Sequence, residues 1–126
     1  MATAMEFGAY IRERREALLT SRTSPSRAPA YSLRGVARHL EIEASYLSKV
    51  ERGVVSPPSD QTIRRLAEVL GEDVDTLMLL AGRVSPELQE IVGARPRVFA
   101  ELIRELRDTP DNAILRLVRE VRDGQW

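Results

Sequence analysis

Residues 32–53, SLRGVARHLEIEASYLSKVERG, constrain the fold more than any other stretch of the 126-residue chain. The spacing predicts two short helices joined by a tight turn. Ser32 is placed to cap the first helix, whose apolar positions Leu33, Val36, Ala37 and Leu40 recur at helical spacing. The turn is Glu41-Ile42-Glu43, with Ile42 pointing inward. The second helix covers 44–52, buries Leu47 and Val50, and stops at Gly53, a residue suited to the left-handed backbone that ends helices. Its other face, Ala44, Ser45, Ser48, Lys49 and Arg52, is small, polar and basic.

The flanking sequence supplies three more helices. Glu6 to Leu19 carries Phe7, Tyr10, Ile11 and Leu18 as an apolar stripe. The next segment, 20–31, is rich in Ser, Pro and Arg and reads as a loop. After VVSPPSD, Asp60 to Leu70 forms a helix capped by Ser59 or Asp60, lined by Ile63, Leu66, Ala67 and Leu70 and ended by Gly71. VDTLMLLA, Val74 to Ala81, is apolar on nearly all sides, so burial is expected. The expected fold class is therefore all-α, with a five-helix domain over 1–84 and a helical extension over 85–126. In that extension Ser85-Pro86-Glu87 starts a helix that runs to about Val92 and is broken by Gly93 and Pro96. A second helix spans Arg97 to Arg107, and Thr109-Pro110-Asp111 starts a third that ends near Gly124. Read linearly, the chain shows no internal repeat.

Charge is balanced overall, with 19 basic and 19 acidic side chains, but unevenly placed. From Arg12 to Arg65 there are 11 bases against 6 acids. Phosphate binding depends on local positive charge. Two helices joined by a tight turn, the second with a small basic face, fit the unit that lays its second helix in the DNA major groove. Sequence-specific binding of double-stranded DNA, and hence transcriptional control, is the expected function.

The strings IRERREA (11–17), SYLSKVERG (45–53) and SPPSDQTIRRLAEVLG (56–71) resemble the lambda repressor-like domain of the Cro/cI, or xenobiotic-response-element, family over residues 6–82. The resemblance implies that Ala44, Ser45 and Lys49 read base edges. Lys49 would donate to guanine O6 and N7, Ala44 would touch a thymine methyl, and Ser45 is permissive. It further implies phosphate contacts by Arg15, Arg34, Arg38, Tyr46, Ser48, Arg52 and Ser56, and a pair between Arg15 and Glu51 that holds the arginine and screens the acid. For Ser45 and Ser48 plain solvent exposure stays open, and for Tyr46 a half-buried place at the core. Three positions depart from the family pattern. Leu33 stands where glutamine is usual, Glu41 where the turn begins with glycine, and the 20–31 insert where a few residues suffice. That insert, with Arg22 and Arg27, is either an arm to the DNA or a surface loop.

Other chemistries find little footing. The chain has no cysteine and one histidine, His39, on the outer side of its helix. No glycine-rich elbow surrounds a serine, and the glutamates are interleaved with arginines as solvated ion-pair faces. No cofactor, metal site or enzyme activity is expected. No apolar run approaches the ~20 residues of a membrane span, and the first ten residues lack the order of a signal peptide. A soluble cytoplasmic, nucleoid-associated protein is expected.

The extension carries two apolar stripes, Phe99, Leu102, Ile103 and Leu106, then Ile114, Leu117, Val118 and Val121, with Trp126 at the end. They would build a homodimer on a palindromic operator, or fold back on the fifth helix of a monomer. The competing function is an antitoxin or adaptor that binds another protein through 85–126.

Overall fold

The computed structural model describes residues 4–21 and 30–124, and the regular elements among them are all helices. They are α1 (Ala4–Leu19), α2 (Leu33–Leu40), α3 (Ala44–Glu51), α4 (Asp60–Leu70), α5 (Val74–Leu80), α6 (Pro86–Ala94), α7 (Pro96–Leu106) and α8 (Asp111–Asp123). Arg22, Arg27 and Trp126 lie outside the described residues. None of these helices is long and apolar enough to cross a membrane. The chain divides into two compact units, Met1–Pro86 and Glu87–Trp126.

The helix starts of the first unit are fixed by short polar side chains. Ser32 Oγ accepts from the Gly35 amide at 3.0 Å, Ser59 Oγ from the Thr62 amide at 3.3 Å, and Asp73 Oδ2 from the Thr76 amide at 2.9 Å. The α2–α3 turn relies on backbone geometry. Glu41 adopts φ 59° and ψ 41°, the left-handed region, where a non-glycine residue costs roughly 1–2 kcal/mol. In return the Ile42 amide reaches the Ala37 carbonyl at 3.0 Å, and Ile42 packs on the core.

One core holds the five helices together. Phe7 and Ile11 of α1, Val36, Ala37 and Leu40 of α2, and Leu47 and Val50 of α3 meet Ile63, Leu66, Ala67 and Leu70 of α4 and Leu77 and Met78 of α5. α1 packs on α3, α4 and α5, and α2 on α3 and α4. The α1–α3 approach is close because Gly8 has no side chain. A Cβ there would stand 2.6 Å from the Glu51 carbonyl oxygen and closer still to that of Val50.

Three expectations need correction. α5 is buried only along Leu77 and Met78, and Leu79 is 50% exposed, because so short a helix on a bundle's edge meets the core on one side. Gly93 does not break α6, which continues to Ala94, because glycine weakens a helix without forbidding its hydrogen bonds. A repeat is also present: LIRELRD at 102–108 in α7 returns as LVREVRD at 117–123 in α8. None of the described residues of α6, α7 or α8 is buried.

Gly8→Ala should destabilise the first unit by about 2 kcal/mol, the clash with carbonyls outweighing alanine's better helix propensity. Glu41→Gly should stabilise it by up to about 1 kcal/mol by relieving the left-handed strain. Urea denaturation of both variants checks the opposite signs.

Candidate nucleic-acid interface

α3 is anchored from its inner side and free on its outer side. Leu47 and Val50 enter the core, while Ser45, Lys49 and the C-cap Arg52 are exposed and Ala44, Tyr46 and Ser48 are half-buried. Ala44 and Tyr46 pack against the core's edge, so part of each is spent on structure. Gly53, at φ 71°, closes the helix with its would-be Cβ 2.6 Å from Met5 Cα. It therefore turns the chain in a space that α1 leaves for a glycine alone.

Beneath this helix lies a buried ion pair. Arg15 of α1 donates from Nε to Glu51 Oε2 at 2.7 Å and from Nη2 to Oε1 at 2.9 Å, a two-pronged match of guanidinium to carboxylate. Nη1 donates to the Tyr31 carbonyl at 3.3 Å. Arg15 is 8% and Glu51 7% exposed. The hydrogen bond to Glu51 outweighs the burial that opposes it and raises the Arg15 pKa above its ordinary value. The arginine therefore stays charged at any pH the fold survives, and little of it remains uncovered for a phosphate.

The other cations of the first unit divide by location. Arg12 meets Glu16, Arg14 meets Glu72, Arg65 meets Glu41, and Arg83 meets Asp60. Arg34 and Arg38 of α2, Lys49 of α3 and Arg52 have no ion-pair partner among the described residues, and all four are exposed. The uncompensated positive charge of the described part of this unit thus includes the second and third helices.

Sequence reasoning missed three residues around this face. Glu43 is the N-cap of α3 in extended conformation, but its side chain makes no cap bond and is exposed, since its extra methylene suits it poorly to capping. Arg83 donates to the Pro57 and Pro58 carbonyls and to Asp60 Oδ1, pinning the loop that leaves α3 and carries exposed Ser56. Glu72 accepts from Tyr10 Oη at 2.8 Å and from Arg14 Nε, tying α1 to the turn after α4. That bond to Glu72, with desolvation, raises the Tyr10 pKa. Only the free acid at a helix start could have been read from sequence. His39 is exposed and lines a shallow depression with Tyr31 and Glu68.

A family model described as a helix-turn-helix domain matches residues 6–80. No curated protein and no solved structure gives a significant match.

Removing one member of the buried pair strands the other. Arg15→Ala and Glu51→Ala should each destabilise the fold by about 3–5 kcal/mol. The double variant should lose clearly less than the sum, with a coupling of about 2 kcal/mol. Thermal or urea denaturation of the four-member cycle checks this, and an additive result would remove the pair from the account.

Proposed function

The chain belongs to the helix-turn-helix domain family, and on that premise we propose that it is a double-stranded DNA-binding transcriptional regulator of the Cro/cI type, acting as a repressor and reading the major groove with residues 44–52. The observation that carries this reading is the charge partition. Among the described residues of the first unit, the cations without ion-pair partners lie on α2, α3 and its C-cap, where the recognition helix and its neighbour meet DNA in such domains.

Each residue then takes one role. Lys49 donates to guanine, Ala44 offers a methyl contact and Ser45 a permissive hydroxyl. Glu43 joins them at the head of the helix, where a free carboxylate accepts from the exocyclic amine of cytosine. Arg34, Arg38 and Arg52 hold phosphates, with Tyr46, Ser48 and Ser56 as neutral donors beside them. Arg15 contributes at the phosphates through what its pairing with Glu51 leaves exposed, and mainly fixes the angle of α3 to α1.

One recognition helix covers few base pairs, so specificity calls for two copies on half-sites about 34 Å apart. The apolar residues of α7 and α8 support a homodimer on a palindromic operator, because none of them is buried within the described chain. The workplace of such a regulator is the cytoplasm, on the nucleoid. The second reading, an antitoxin or adaptor, draws on the same uncovered faces and assigns them to a different protein.

Titration against genomic fragments should find a preferred site, and footprinting should define it; uniform binding to all sequences would defeat the specific-reader proposal. Lys49→Ala should cost about 1–3 kcal/mol on the operator and relax preference at one or two positions. Arg52→Ala should instead weaken all sequences alike and lower the salt slope by about one. Light scattering of the full chain at micromolar concentration should give twice the chain mass. A monomeric mass would move α7 and α8 to the antitoxin or adaptor reading.

A further inference from the structure

α7 and α8 are two versions of one helix. In α7 the apolar face is set by Phe99, Leu102 and Leu106; in α8, fifteen residues later, by Ile114, Leu117 and Val121. On both, a glutamate precedes the last of these residues and an arginine follows it: Glu105 and Arg107, then Glu120 and Arg122. Helical geometry puts the glutamate on one border of the face and the arginine on the other. The same borders on both helices make the charge arrangement a property of the face rather than of one position.

The α8 face is exposed at Leu117 and Val121 and half-buried at Ile114, and its borders are unspent. Leu117 is 36% and Val121 60% exposed. None of the four border charges has an ion-pair partner among the described residues. A second copy of the face matches these borders in one orientation only. When two such helices run parallel about a two-fold axis along their length, the glutamate border of each meets the arginine border of the other. When they run antiparallel, glutamate meets glutamate and arginine meets arginine. Apolar contact supplies the adhesion, and the borders choose the direction.

We propose that α8 is the two-fold seam of the dimer, packed parallel and in register on α8 of a second copy, with Glu120 beside Arg122 of that copy on both sides. α8 takes this place rather than α7 because it is longer, 13 residues against 11. This rests on the dimer reading above and adds to it the helix and the orientation.

The chain has no cysteine, so a single introduced thiol reports on its own copy alone. Ile114→Cys and Val121→Cys stand two turns apart on the seam. In a parallel, in-register pair each faces itself across the axis, within the ~4.4–6.8 Å between Cα atoms that a disulfide spans. Mild oxidation of each full-length variant, at a concentration where the unmodified chain is dimeric, should convert most of it to a covalent dimer that a reducing thiol dissolves. If neither variant cross-links alone but their mixture does, the helices are antiparallel and the proposal is overturned. If the chain is dimeric and no combination cross-links, α8 is not at the axis and the proposal is equally overturned. A monomeric unmodified chain would instead remove the dimer reading, and this inference with it.

Discussion

The angle of α3 to α1 depends on two charges that water scarcely reaches. Arg15 and Glu51 join α1 to α3 by a fork of two short hydrogen bonds, at the last residue of α3. Burying a carboxylate and a guanidinium costs several kcal/mol each unless every strong donor and acceptor is met. Here the carboxylate takes two bonds and the guanidinium gives a third to Tyr31. Such a pair is a poor source of net stability but a strict one of geometry, since small displacements leave a charge unsatisfied. Gly8, one and a half to two turns earlier on α1, lets the same two helices touch backbone to backbone. α3 is therefore located twice over, by a charge pair and by a missing side chain.

The rest of the first unit spends its acids so as to leave the second and third helices positive. Glu16, Glu72, Glu41 and Asp60 each neutralise an arginine on α1, α4 or the segment after α5. These exposed pairs add little stability individually, because solvent screens them. Their effect is on the field: they lower the positive potential elsewhere and so sharpen it over α2 and α3. Over α2 and α3, four cations without ion-pair partners among the described residues thus face solvent beside the exposed Glu43, in a chain of zero formal net charge.

Much of this was legible in the sequence, and for definable reasons. Ser32, Ser59 and Gly71 are local signals whose meaning needs only their neighbours, and the apolar faces of α2 and α4 follow from periodicity. Glu41 marked the turn as unusual because it stands where the family pattern has glycine, and it is the residue that adopts the left-handed backbone. What stayed hidden depends on distant partners. Arg83 acts on carbonyls 25 and 26 positions away, and Tyr10 on a carboxylate 62 away. Gly8 carried no signal of its role in the sequence because its partner is the backbone of another element. The α7–α8 repeat is hidden within each helix taken alone and shows only when LIRELRD at 102–108 is laid over LVREVRD at 117–123.

The outward side chains Ser45, Lys49 and Arg52 make no hydrogen bond or ion pair to the other described residues, and what fixes the helix lies on its opposite face. Ser45 and Lys49 can therefore be exchanged at small cost to the fold, since substitutions away from core, caps and networks usually stay within about 0.5 kcal/mol. Stability and the chemistry of this exposed face are thus separable properties of this domain. A lineage, or a designer, could therefore give this face a different chemistry by rewriting a few exposed positions while Arg15, Glu51 and Gly8 stay as they are.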